Sequence, residues 1–251
     1  MREQSGRVEA IDVLSGCDHS ASVRCGDCRL SGICLPLALD TDDVDQLDRI
    51  IQRGRPLRRE AHLFREGDAF NAVFAVRSGA LKAYRTTRGG QEQVTGFYLP
   101  GEIVGLDGIA ENRHISAAVA LETSAICEIP FSELERLSDT LPTVRRRLMQ
   151  VISKELNVEQ ELISLLGKNS SRQRIAALLL SLSRRNARRR LSATRLRLPM
   201  PRGDISNYLG LTVETVSRTF TKMQQDGIVR VNNKDVEILD MDALSAEFTA
   251  N

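Results

Sequence analysis

The stretch RGDISNYLGLTVETVSRTFTKMQQDG, Arg202–Gly227, decides the fold. Ile205, Tyr208, Leu209, Val213, Val216 and Phe220 recur at spacings that bury one face of two short helices. Gly210 falls between them, where a tight turn needs a residue free of side-chain constraint. Thr212 is placed to cap the second helix. That helix exposes Glu214, Thr215, Ser217, Arg218 and Lys222, whose lengths and polarity suit a major groove, and Thr212 at its start is counted with them as a DNA contact. There an arginine bonds two acceptors of a guanine, and a carboxylate accepts from the cytosine amino group. The next residues, IVRVNNKDVEILD (Ile228–Asp240), alternate apolar and polar on either side of Asn232-Asn233 and read as a hairpin. A helix–turn–helix followed by a hairpin is a winged DNA-binding domain. The alternative is an ordinary helical hairpin with a polar face.

Charge favours the first reading. The 251-residue chain has a formal net charge of only +2. Residues 1–167 carry a net −5, whereas residues 168–251 carry a net +7. A basic last third on an acidic body suits a polyanionic partner such as double-stranded DNA. No run of about 18 apolar residues is present, so no membrane span is expected. The first residues lack the apolar core of a secretory signal, so a cytoplasmic protein is expected. A phosphate loop and a clear nucleophile–base pair are absent, and there are three histidines, His19, His62 and His114. An enzyme is therefore not expected.

Upstream of the decisive stretch three further textures separate. Residues 1–36 are polar and cysteine-bearing. Residues 37–130 begin with a short helix at about 41–52, with Asp42 and Asp43 in its first turn. They continue as short runs rich in Val, Ile and aromatics, divided by glycines, which read as an antiparallel sandwich or barrel. Residues 131–167 change to a helical period. Met149, Ile152, Leu156, Glu159, Ile163 and Leu166 follow a heptad spacing, the seam of a helix pair. The alternative is a stripe packed on its own barrel. In residues 168–251, SRQRIAALLLSLSRR (Ser171–Arg185) is amphipathic, and RRNARRR (Arg184–Arg190) reads as a loop or phosphate-facing patch.

The five cysteines are unevenly placed: Cys17, then Cys25, Cys28 and Cys34 in RCGDCRLSGIC, then Cys127. A C-x2-C pair presents two thiolates on one loop, and Cys34 can close over the same centre. Soft thiolates suit iron–sulfur or zinc centres, and spacing does not choose between them. An odd count in a reducing compartment fits disulfides poorly.

DISNYLGLTVETVSR (Asp204–Arg218) resembles the helix–turn–helix of the CRP–FNR superfamily of transcription regulators. FREGD (Phe64–Asp68), AVRSGALK (Ala75–Lys82), EQVTGFYLPGEIVGLDGI (Glu92–Ile109), LETSAICEIPF (Leu121–Phe131) and LSRR (Leu182–Arg185) extend the likeness from Cys25 to about Leu239. The Glu-x-x-Ser-Arg pattern of Glu214, Ser217 and Arg218 is similar to the FNR branch. The cyclic-AMP branch usually has Arg where Val213 stands and Gly where Ser217 stands. The resemblance implies an α+β chain: an N-terminal antiparallel β-roll (a cyclic-nucleotide-binding-like jelly roll), a long dimerisation helix and a C-terminal winged helix–turn–helix. It implies TTGAT-type inverted-repeat sites, with Arg218 on the guanine, Glu214 on the opposite cytosine and Ser217 beside them. It also implies a 4Fe-4S cluster held by Cys25, Cys28, Cys34 and Cys127, since the family's fourth ligand sits in a CEIP context.

From the same resemblance follow oxygen sensing under anaerobic conditions, conversion of the cluster to 2Fe-2S, loss of the homodimer, and activation or repression through RNA polymerase. The Thr86–Gln93 turn is the expected polymerase contact, or simply a hairpin tip. In a parallel pair Glu159 faces its twin, and two buried carboxylates oppose association by several kcal/mol. Ile33, beside Cys34, reads as an apolar shield for the cluster. Cys17 has no required role. The rival is a regulator of the same fold answering a cyclic nucleotide or haem, with structural zinc at the cysteines. Nucleotide binders hold the cyclic phosphate with Arg-Ser or Arg-Thr about ten residues after a Gly-Glu. Here Gly101-Glu102 is present, but Ile115 precedes Ser116 and Arg113 is out of phase.

Overall fold

The short β-rich runs pair into two facing antiparallel sheets, as their alternation requires. The structure is a computed structural model that describes residues 23–168 and 170–249. Cys17 and His19 lie outside those residues. Helix α1 (Thr41–Ile50) precedes β1 (Gln52–Arg53), β2 (His62–Phe64), β3 (Ala72–Ser78), β4 (Leu81–Thr86), β5 (Glu92–Tyr98), β6 (Ile103–Val104), β7 (Ala117–Ala120) and β8 (Ala125–Pro130). One sheet runs β1-β8-β3-β6 and the other β2-β7-β4-β5. All pairings are antiparallel, so this is the expected β-roll.

Two helices follow where one was expected: α2 (Phe131–Thr140) and α3 (Pro142–Lys168). Proline explains the break. It pushes Leu141 into extended backbone (φ −119°, ψ 100°) and then fits the first turn of α3, where no N–H is needed. The second half of the chain comprises α4 (Ser171–Arg188), β9 (Arg195–Arg197), α5 (Arg202–Leu209), α6 (Val213–Gln225), β10 (Val229–Asn232), β11 (Asp235–Ile238) and α7 (Met241–Thr249). A capping box starts α4: Ser170 Oγ accepts from Gln173 N, and Gln173 Oε1 accepts from Ser170 N. The basic run is not a loop, because α4 continues through Arg188. Arg185 is anchored there by Glu102 of the β-roll, with Nε 2.7 Å from Oε1. The wing has three strands, β10-β11-β9, and its turn centres on Asn233-Lys234, one residue later than the pattern suggested.

Two apolar cores position the functional surfaces. One joins Leu35, Leu47, Ile103, Ile129, Leu134, Val144 and Leu148, with Cys34, Cys127 and Ile152 against its edge. It ties the cysteine loop to the β-roll and to the first half of α3. The other unites Val94, Phe97, Leu99 and Leu121 of the β-roll with Ile175, Leu179, Ile205, Leu209, Val216 and Phe220. The helix–turn–helix is thus docked on the tip of β5. Asn207 makes the dock specific: its Oδ1 accepts from Val94 N (2.6 Å) and its Nδ2 donates to Glu92 O (2.7 Å). Lys82 Nζ reaches Asp204 at 2.8 Å beside it.

Candidate metal centre and nucleic-acid interface

Cys25, Cys28, Cys34 and Cys127 line one cavity, together with Leu30, Arg53 and Arg77. All four are free thiols. Three come from the loop before α1. The fourth arrives by strand pairing, because β8 runs beside both β1 and β3 and sets Cys127 opposite Arg53 and Ala75. Among the described residues, no three His, Cys, Asp or Glu side chains converge closely enough to hold a single metal ion. Four soft thiols around one cavity fit a thiolate-ligated centre, iron–sulfur or zinc.

The surroundings are cationic. Arg53 Nη2 stands 3.6 Å from Cys25 Sγ and also pairs with Asp48, which accepts from Cys25 N at 2.7 Å. Burial disfavours the Arg53 cation, but pairing with Asp48 more than offsets it. Arg53 Nε is buried with no hydrogen-bond partner. A buried donor without an acceptor, on a guanidinium beside a cysteine sulfur, matches an anionic, thiolate-ligated centre whose sulfurs accept hydrogen bonds. Burial pushes the Cys34 thiol up to about 12 and raises Cys25 and Cys127 as well. Ligation therefore releases protons. Nothing local in the sequence marks Asp48 or Arg53, because contacts across the fold bring them here. Ile33 packs against Gly101: a Cβ added there would lie 2.5 Å from Ile33 Cδ1, and the backbone has φ +90°.

In the second domain, Gly210 closes α5 in left-handed conformation (φ 60°, ψ 43°). Thr212 caps α6, accepting from Thr215 N at 3.1 Å, and the two hydroxyls lie 3.0 Å apart. These two threonines thus order the helix start. Val213, Glu214, Ser217 and Arg218 share one open face of α6, and Lys222 is exposed one turn beyond Arg218. Val213 was expected in the core, but it is 43% exposed. It sits in the first turn, where the buried face has not yet begun. The Glu214 carboxyl is held below its ordinary value by its own backbone N–H and the Thr212 hydroxyl.

The α3 seam divides. Met149, Leu156 and Ile163 are 56%, 54% and 71% exposed, so that ridge does not pack on its own barrel. Glu159 is exposed between them. Ile152 turns partly into the core beside the cysteines, and Leu166 packs towards Gly210.

In the β-roll an anion cradle is already filled from within. Asp107 Oδ2 accepts from Ile115 N (3.1 Å), Ser116 N (2.9 Å) and Ser116 Oγ (2.8 Å), while His114 Nδ1 lies 3.3 Å from Oδ1. Burial opposes charge on Asp107, yet these bonds hold its carboxyl below the ordinary value. Arg113 donates to the Gly67 carbonyl instead of joining the cradle.

Comparison with known proteins agrees with this layout. Residues 54–140 match the cyclic nucleotide-binding domain family, and residues 173–247 match the Crp-like helix-turn-helix domain family. The chain is 52% identical over 222 residues to transcriptional activator protein FnrA of Stutzerimonas stutzeri, covering 88% of this chain and 91% of that protein. The chain belongs to the FNR/Anr family of CRP-type transcription regulators.

Other FNR/Anr relatives include the transcriptional activator anr of Pseudomonas aeruginosa, 50% identical with 88% and 91% coverage. The fumarate and nitrate reduction regulatory protein of Salmonella typhimurium is 45% identical, with 90% of each chain covered. Among solved structures, FixK2 from Bradyrhizobium japonicum superposes with TM-score 0.74 at 28% identity, covering 80% of this chain and 99% of that one. As an FNR/Anr-family protein the chain is a DNA-binding regulator rather than an enzyme, and membership implies dimer formation. No helix among the described residues is long and apolar enough to cross a membrane.

Proposed function

We propose that this FNR-type regulator senses oxygen through a 4Fe-4S cluster held by Cys25, Cys28, Cys34 and Cys127. The observation that carries the reading is the convergence of these four thiols on one cavity bordered by Arg53, whose buried Nε has no acceptor. When bound there, a 4Fe-4S cluster would supply the oxygen lability. The residues of the chain do the rest. The cysteine loop and the first half of α3 share a core, so loop order and helix pose are linked. The Met149–Leu156–Ile163 ridge pairs with a second copy, with Ile152 and Leu166 flanking it and Glu159 opposing the contact. The paired recognition helices meet a TTGAT-type inverted repeat: Arg218 reads guanine, Glu214 reads the opposite cytosine, and Ser217 and Lys222 add neighbouring contacts. Thr212 and Thr215 hold the helix start in place. Transcription is then activated or repressed in the cytoplasm through RNA polymerase, with the exposed Thr86–Gln93 turn as the contact surface.

Anaerobic purification with iron and sulfide counts tests this. The expected protein is brown, holds about four irons per chain, and bleaches in air as DNA binding is lost. A colourless protein carrying stoichiometric zinc would overturn the reading.

A further inference from the structure

Arg147 makes a polar side-chain tie between the cysteine loop and the helix that carries the exposed apolar ridge. It lies on α3, two residues before Met149. Its guanidinium turns away from solvent and reaches back over the loop. There Nη2 donates to the carbonyl of Cys34 at 3.0 Å and to that of Ile33 at 3.4 Å. Nη1 meets Gln150 Oε1 of its own helix at 3.4 Å, and the buried Nε has no acceptor. A half-buried cation on a helix, held by the backbone carbonyls of Ile33 and, more closely, Cys34, costs more desolvation than a merely structural contact requires. It makes sense where the orientation of that carbonyl depends on whether the adjacent thiol is ligated. Three features reinforce the geometry. Cys34 is the last of the loop cysteines, so the chain beyond it runs into Leu35, which packs on Val144 and Leu148 of the same helix. The Ile33 side chain is held against Gly101, so the loop cannot turn freely about this point. The added negative charge of thiolate ligation would draw the guanidinium further towards the loop.

We infer that Arg147 is a positioning residue that transmits ligation of Cys34 to α3, fixing its first half so that the Met149–Leu156–Ile163 ridge meets a second copy in register. The inference rests on the cluster reading above and assigns the step between ligation and dimer formation to one side chain. Arg147 touches backbone, not the metal centre, so it should govern pairing without governing cluster uptake.

The test uses full-length protein, prepared anaerobically as wild type, R147L, R147Q and R147K. Iron and sulfide per chain and the visible spectrum report cluster content. Sedimentation reports the dimer constant, and thermal melting of the apo-proteins checks folding. R147L is expected to hold wild-type iron and sulfide but to dimerise about tenfold or more weakly, the scale of a lost charge-assisted hydrogen bond. R147Q keeps a donor without the charge and should fall between. R147K keeps the charge with a shorter reach and should recover part of the loss. Variants that load fully and dimerise like wild type would overturn the inference while leaving the cluster reading intact. Loss of iron from R147L and R147Q in parallel with loss of the dimer would also overturn it, making Arg147 a cluster-holding residue. Wild-type protein that takes up no iron would sink the cluster reading and this inference together.

Discussion

Replacing Asn207 with Ala should loosen the helix–turn–helix from the β-roll. The side chain acts as one more rung on the edge of β5, accepting from Val94 N at 2.6 Å and donating to Glu92 O at 2.7 Å. Truncation removes both bonds. Val94 is 2% exposed, so its N–H loses its acceptor without ready access to water, whereas the exposed Glu92 segment rehydrates. A typical bond contributes about 0.5–1.5 kcal/mol net, and a stranded donor adds to that, so about 2 kcal/mol is the expected loss. For a chain of this size that lowers the melting temperature by about 4–8 °C. Gln93 Nε2 still reaches the Asn207 backbone carbonyl, and Lys82 still pairs with Asp204, so the dock is weakened rather than abolished. The assay is thermal unfolding of the apo-protein followed by calorimetry. Wild type should unfold with its domains coupled, and N207A should melt earlier and show the two halves separating. Asn207→Asp is the sharper control. It keeps the acceptor for Val94 but sets a carboxylate against the Glu92 carbonyl, so it should be at least as destabilising as Ala. If both variants melt at the wild-type midpoint in a single transition, the Asn207 bonds do not hold the domains together.

Four further outcomes follow from the geometry. Arg218→Ala should cost about 1–3 kcal/mol of DNA affinity and erase discrimination at the guanine of the half-site, as read by binding titrations against operators substituted at that base. Asp107 is held below its ordinary value by donors in the fold, so its stabilisation is present above the unfolded carboxyl pKa of 3.8 and lost as pH falls through the lower folded value; D107N should flatten the acid limb of a stability-versus-pH curve. Because that carboxylate already fills the cradle, cyclic AMP should leave DNA binding of the wild type unchanged. Glu159→Ala should let aerobic apo-protein dimerise by removing a carboxylate from the seam, and sedimentation showing a monomer would refute the repulsion account.

What could be read from the sequence was what depends on neighbours in the chain. The helix–turn–helix was legible because its periodicity, its Gly210 turn and its Thr212 cap all fall within a few turns of helix. Three of the four cysteines were legible as a loop. Cys127 joined them only by resemblance, because nothing local says that β8 will lie beside β1. The break before Pro142 carried a local signal, and proline is that signal. The basic run of α4 was misread for the opposite reason. An Arg-rich stretch looks unpackable until Glu102, 83 residues away, is found opposite Arg185. Asp107 was invisible as an internal anion, since its donors come from residues 114–116 across a turn.

The same pair of residues, Gly101-Glu102, meets both functional halves of the molecule. Gly101 receives the Ile33 side chain from the cysteine loop, and Glu102 pairs with Arg185 at the base of the DNA-binding domain. A change in the loop therefore has two ways out: through Arg147 to α3, and through this strand end to α4. The two differ in stiffness. The Arg147 route is a pair of polar bonds to backbone carbonyls, which lengthen or break with small rotations of the loop. The second route begins with apolar contact on a glycine backbone and continues through an ion pair that Leu99 N also braces at 2.9 Å. That contact resists compression but gives little tension when the loop withdraws. Loss of order at the cysteines should thus release α3, and with it the dimer ridge, before it disturbs the seating of the helix–turn–helix on β5. On this arrangement the dimer is the quantity the cysteine loop controls, and the aim of each recognition helix is set separately by the Asn207 dock.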